Sequence, residues 1–257
     1  MSLSQQLRNG MYRAALLLAL VVGTSAHATT IAVTTSDGVR LSADHQGKGD
    51  HGIVFVHGNG GDRSGWGDLP GSLASKGVQV VALDLRGHGA SKGDADPTTM
   101  QADVEAAVTF LEKRGVEYIT LVGNKLGGNL SLVAAGSSDA VRNVVMISPA
   151  LNANGVKVTA GLKTFGEREL LLIAGSDDAL ALKALNLIAD NVDKSSVEVI
   201  DGGGSGMQLV NRATELETLL FTWSSGQREA EQKSRPGVID SDDAPQNLET
   251  TGTKLGQ

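Results

Sequence analysis

The sequence has no cysteine, only 3% aromatic residues, and no histidine after His88 among its five. Without cysteine there is no disulfide framework and no lipid-attached cysteine at a processed N-terminus, so stability must come from packing. With so few aromatics, that packing must be aliphatic. Clustered Lys and Arg are also missing, and a net charge of −7 with a pI near 5.2 argues against a surface built to neutralise phosphates. No nucleic-acid partner is expected. The longest early apolar run, Ala14 to Val22, is too short to serve as a permanent membrane span. No metal site and no cofactor motif is expected either. The glycine cluster Gly202-Gly203-Gly204-Ser205-Gly206 lacks the Gly-Lys-Ser/Thr ending of a phosphate loop.

What is present is glycine, 33 residues of it, in a chain of 257 that is 40% hydrophobic. That suits one α/β domain with many tight strand-to-helix turns. Arg8 and Arg13 precede the apolar run, and Ala26-His27-Ala28 places small residues three and one before Thr29. This is the pattern of a secretory signal peptide over 1–28, with Met1 or Met11 as the start, and it predicts a periplasmic or secreted protein. A domain over 29–226 follows. From residue 227 to 257 the chain is polar, with almost nothing apolar to bury, and a disordered tail is expected there.

Within the domain, β-branched apolar runs alternate with helical patterns, the mark of a mostly parallel sheet covered on both faces. A leading hairpin is read at Ile31–Thr34 and Val39–Ala43 around Ser36-Asp37-Gly38. Further strands are read at Ile53–Val56, Val78–Leu83, Ile119–Val122, Val144–Ile147, Leu170–Ala174 and Val197–Ile200. Met100, Val104, Ala107, Val108 and Leu111 repeat at helical spacing and predict a helix over Thr98–Arg114, stopped by Gly115. A terminal helix over Met207–Trp223 places Leu209, Leu216, Leu219 and Leu220 on one face, where it would close the core.

Four landmarks then recur in order: His57-Gly58-Asn59-Gly60-Gly61-Asp62 after the third strand, Asp84-Leu85-Arg86-Gly87-His88-Gly89-Ala90-Ser91 after the fourth, Gly123-Asn124-Lys125-Leu126-Gly127-Gly128 after the fifth, and Gly175-Ser176-Asp177-Asp178 after the seventh. In these the chain resembles the α/β-hydrolase superfamily across nearly all of 29–226. The resemblance implies an eight-stranded, mostly parallel sheet with helices on both faces. It makes Gly58, Asn59, Gly60 and Leu126 the oxyanion region, Gly123 to Gly127 the nucleophile elbow, and Asp178 the acid position. About twenty residues separate the sixth strand from Glu169, too few for a lid domain.

Two departures stand out against that pattern. Lys125 occupies the position of the attacking serine, and Ser205 occupies that of the histidine in the loop after the eighth strand. A serine hydrolase needs the imidazole as base and then as acid, so the pattern implies loss of that activity. His57 and His88 read as loop-ordering residues and Asp84 as a brace. Lys125 is open to three readings. Its ammonium could pair with Asp178 across the emptied cleft, or bind a small anionic molecule or a protein beside free helix N–H groups. As a neutral amine it could instead form a Schiff base, the remaining enzymatic alternative. The oligomeric state is not legible from sequence.

Overall fold

The computed structural model describes residues 28–225. The expected signal peptide, apart from Ala28, and the expected polar tail fall outside the described residues. Ten strands follow in chain order: β1 (Thr29–Thr34), β2 (Arg40–Gln46), β3 (His51–Val56), β4 (Gln79–Leu83), β5 (Tyr118–Asn124), β6 (Val141–Ile147), β7 (Asn152–Ala153), β8 (Val156–Lys157), β9 (Glu169–Gly175) and β10 (Ser195–Ile200). Eight of them form one sheet in the order β1-β2-β4-β3-β5-β6-β9-β10, and β7 and β8 form a separate two-residue hairpin. Every pairing from β4 to β10 is parallel, while β2 runs antiparallel to both β1 and β4. This is the α/β-hydrolase fold, with all eight strands read from the sequence in place.

Successive side chains of a strand project to opposite faces, so the continuous apolar runs feed two cores at once. One face buries Val54, Leu121, Val144 and Leu172 beneath α2 (Gln101–Glu112), α3 (Leu126–Ala134), α4 (Val158–Phe165) and α5 (Ala179–Ala189). The other buries Phe55, Val122, Val145 and Ile173 beneath α1 (Leu69–Ser75) and α6 (Ala213–Ser224). Phe55 and Trp66 meet there with ring centroids 4.7 Å apart, in a core that is otherwise mostly aliphatic.

The helix ends differ from the sequence pattern for local reasons. Helix α2 begins three residues later than Thr98, because Asp96 takes the Thr98 N–H on its side chain and the Thr99 N–H on its carbonyl, closing a turn instead. It ends at Glu112, two residues short of Arg114, in a turn that Gly115 closes at φ +79°. The terminal helix is broken: Gly206–Arg212 form a 3-10 segment before α6 starts at Ala213. Leu209, Leu216 and Leu220 are buried as expected, and Leu219 is half-buried. Between β6 and β9 lie only the small hairpin and α4, which packs on α3 and leaves no lid domain.

Candidate functional site

The carboxyl ends of β3, β5, β6, β9 and β10 converge on one edge of the sheet, the edge at which open α/β sheets hold their ligands. Lys125 sits there, alone between β5 and α3, with φ 48° and ψ −108°. A residue with a Cβ pays on the order of 1–3 kcal/mol for such a conformation and keeps it only where the surroundings dictate it. Here they do. The Lys125 N–H donates to the Ile147 carbonyl at 3.0 Å, and its carbonyl accepts from the Asn129 N–H at 3.1 Å. The chain can turn this tightly only with glycine on both sides. A Cβ on Gly123 would lie 2.2 Å from the Gly127 backbone, and one on Gly127 would lie 2.0 Å from the Val56 carbonyl oxygen.

The Lys125 side chain is exposed, and its stem passes beside Gly206, with Cε 3.1 Å from where a Cβ on that glycine would lie. It therefore leans toward the loop after β10. The pairing of Lys125 with Asp178 that the sequence allowed is not formed, and among the described residues Lys125 takes part in no ion pair. Two backbone donors lie on the segments around it, the loop after β3 reaching its neighbour Asn124 at Gly58, where a Cβ would lie 3.2 Å from Nδ2. The Leu126 N–H opens α3 and the Asn59 N–H lies in the loop after β3, and neither has a partner among the described residues.

Asp178 and Ser205 do come together. Asp178 caps α5, its Oδ1 accepting from the Ala181 N–H at 3.1 Å. Burial works to raise its carboxyl, but the Ser205 hydroxyl, the Ala181 N–H, the Ser148 hydroxyl and the charge of Lys125 together hold it below the usual carboxylate range. Neither hydroxyl closes a well-aligned bond on Oδ2, which is buried and unpaired among the described residues. Asp177, by contrast, is exposed and accepts from the Gly204 N–H at 2.8 Å. Ser148 escaped the sequence reading. It is buried at the end of β6 with φ 48°, and its Oγ accepts from the Gly206 N–H at 2.7 Å. Its place at the carboxyl end of a parallel strand was the available signal.

Both histidines near the site are committed to structure. His57 is buried, its Nδ1 donating to the Gly58 carbonyl at 2.7 Å and its Nε2 accepting from the Leu85 N–H at 3.0 Å. Burial lowers its pKa, as a neutral ring used in this way requires. His88 hydrogen-bonds the Arg86 carbonyl through Nδ1 and accepts the Gly60 N–H through Nε2 at 3.3 Å. Gly60 thus spends its N–H on His88 and is no longer a donor to a ligand.

The Asp84 to Ser91 segment is a brace. Asp84 is fully buried and accepts from the backbone of Arg63 and Ala90, and it pairs with the Arg63 guanidinium. Arg86 bridges two carboxylates, Asp103 in α2 and Asp37 in the β1–β2 turn. A cavity of about 760 Å³ lies at the opposite pole, lined by Tyr118, Arg142, Glu169 and Lys194, far from all of these groups. Among the described residues no cluster of His, Cys, Asp and Glu could hold a metal ion, and no helix is long and apolar enough to cross a membrane.

Comparison with known proteins agrees with the fold. A family model described as alpha/beta hydrolase fold matches residues 53–164. The chain is 33% identical over 205 residues to a dihydrolipoyllysine-residue acetyltransferase component of the acetoin cleaving system of Cupriavidus necator, covering 73% of this chain and 54% of that one. It is 34% identical over 82 residues to a lipase of Mycobacterium tuberculosis, covering 32% of this chain and 31% of that one. The chain spans about half the length of the first curated relatives it matches. Among solved structures, an esterase of Pyrococcus furiosus superposes with a TM-score of 0.66 at 17% identity, covering 77% of this chain and 89% of that one. A dienelactone hydrolase of Anabaena variabilis gives 0.66 at 16% identity, covering 77% and 97%.

Proposed function

We propose that this chain, a member of the α/β-hydrolase superfamily, is an exported pseudoenzyme that binds a small anion, or a carboxylate of a protein partner, at Lys125. The observation that carries the reading is an exposed ammonium without an ion-pair partner, at the N-terminus of α3 and beside the free N–H groups of Leu126 and Asn59. Such a terminus favours negative charge through its unpaired N–H groups and its dipole. Lys125 and Ser205, standing for the nucleophile and base of the family pattern, support the loss of serine-hydrolase chemistry. Among the described residues no imidazole near the site is free to replace the base, because His57 and His88 each use both ring nitrogens elsewhere. The leader-like segment before Thr29 supports export. An amine nucleophile would rely on desolvation, and an exposed side chain with a carboxylate nearby offers little of it.

Calorimetric titration of the chain from Thr29 to its end with inorganic phosphate and with acetate tests the reading. Saturable binding should weaken by about tenfold or more in Lys125→Met, the loss of one close charge at a partly screened site. Incubation with a small aldehyde and borohydride should leave Lys125 unmodified, and a fluorophosphonate probe should label no serine. Binding unchanged in Lys125→Met, selective trapping on Lys125, or probe labelling in the cleft would each overturn the proposal.

A further inference from the structure

The two edges of the sheet differ in chemistry. The β1 edge carries Thr30, Ala32 and Thr34, exposed and mostly polar, whereas the β10 edge carries Val197 and Val199, 42% and 49% exposed. An exposed edge strand bearing β-branched residues is a template for another strand. From the main chain of β10 we infer that this edge pairs antiparallel with the same strand of a second copy, joining two sheets into one.

The direction of the backbone groups allows it. The carbonyls of Lys194 and Ile200 point inward, accepting from the Leu170 and Ser176 N–H groups. With a period of two, Ser195, Val197 and Val199 therefore turn their N–H and C=O outward, and among the described residues β10 has no second neighbour in the sheet. Only registers that set these odd positions against one another can close a ladder. Charge and strand length then select among them. Opposing Val197 to Val199 would set Glu198 against Glu198 in the closer, non-hydrogen-bonded pairing, where like charges repel. Centring the axis on Ser196 would set Glu198 directly against Lys194 but pair Val199 with Asp193, outside the strand. Centring it on Val197 keeps all three outward positions, Ser195, Val197 and Val199, in pairs within β10, sets Glu198 against Ser196, and leaves Lys194 of the other copy on a diagonal, within reach of a long side chain. Lys194 is free enough to serve, since its contact with Glu167 is at 3.3 Å between two exposed side chains.

Side chains above the seam agree. Helix α5 packs on β9 and β10, burying Ala181, Leu185 and Ile188, while Leu182 and Ala189 on one flank join the core. The other flank carries Leu180 and Leu187, 83% and 44% exposed and seven residues apart on one face. A twofold axis perpendicular to the sheet keeps both α5 helices on the same side, so that these flanks approach each other over Val197 and Val199. The four side chains then lose water together.

Sedimentation velocity over a concentration series tests this on the chain from Thr29 to its end, which contains every strand and helix described. A monomer–dimer equilibrium is expected. Val197→Lys, which brings two like charges to the axis, should give monomer with an unchanged melting temperature. Val197→Pro should do the same, because it removes an outward N–H and no bond to β9. Lys194→Glu or Glu198→Lys alone should weaken the dimer by roughly tenfold, with the pair acting twice per dimer, and the double reversal should restore it. A chain that stays monomeric at the highest concentration reached, a dimer indifferent to Val197→Lys, or a double reversal as weak as the single ones would overturn the inference.

Discussion

Asp103→Ala asks whether the Asp84 to Ser91 segment serves structure or chemistry. Asp103 is wholly buried in α2, and its carboxylate takes the Arg86 backbone N–H and Nε, each at 2.8 Å, and Nη2 at 2.7 Å. Burial pushes the Asp103 carboxyl up, against the pull of the Arg86 guanidinium and backbone N–H. Breaking a buried pair by deleting one member costs about 3–5 kcal/mol, chiefly for the charge left behind. Arg86 would keep one carboxylate, Asp37, at 2.7 Å and 3.1 Å on its solvent side, so the lower end applies, about 3 kcal/mol. A domain of roughly 150–250 residues loses about 2–4 °C per kcal/mol, which predicts a fall of about 6–12 °C in melting temperature. Circular dichroism on heating at neutral pH measures it, with phosphate titration well below the transition as the companion readout. Asp37→Ala should cost clearly less, since Asp37 lies half outside and Asp103 would remain. A fall of only a degree or two for Asp103→Ala would refute the brace. So would an intact melting temperature accompanied by lost phosphate binding, which would move the segment into the site.

Lys125→Ser alone should gain no turnover of short-chain esters over the parent, because Ser205 offers the new hydroxyl no base; spectrophotometric turnover from this single variant would refute the assignment of the loop after β10. Stability should depend on pH through His57, whose folded-state pKa lies below its free value of 6.5 because the ring is buried. The unfolded chain then binds the proton first, so stability present above about pH 6.5 is lost as pH falls toward the lower folded value, and His57→Gln should flatten that slope in urea midpoints measured between about pH 7.5 and 5.5.

The strands were legible because both faces of a parallel sheet demand apolar residues, and the runs at Ile53, Val78, Ile119, Val144 and Leu170 admit no other reading at that length. The elbow was legible because Gly123 and Gly127 are required by contacts of 2.2 Å and 2.0 Å that no other residue could satisfy. Less was visible where tertiary contacts decide. Periodicity could not show that Asp96 would hold Thr98 out of α2, or that the terminal helix would break at Arg212. Asp37 read as a turn residue, and nothing local announces that its carboxylate grips Arg86, 49 residues away. Nor could spacing reveal that Lys125 would lean toward Gly206 without pairing with Asp178, since that depends on a side-chain path across three loops.

Backbone strain bears on why Lys125 is a lysine at all. Among the described residues, non-glycine positions with positive φ are Lys125, Ser148 and Asn154. Asn154 lies in the turn between β7 and β8, where asparagine tolerates this conformation locally. The other two stand side by side, at the carboxyl ends of the adjacent strands β5 and β6, and the Lys125 N–H is bonded to Ile147, the residue before Ser148. A glycine at either place would relieve strain, at the cost of the side chain presented to the cleft. The elbow glycines alone would preserve the turn. What the strain retains is therefore an exposed Lys125 side chain and a buried Ser148 hydroxyl that accepts the Gly206 N–H; on the function proposed above, the first meets the anion and the second fixes the loop after β10. The relaxed variant Lys125→Gly separates these contributions: it should melt at the same temperature as the parent or higher, while losing phosphate binding as fully as Lys125→Met.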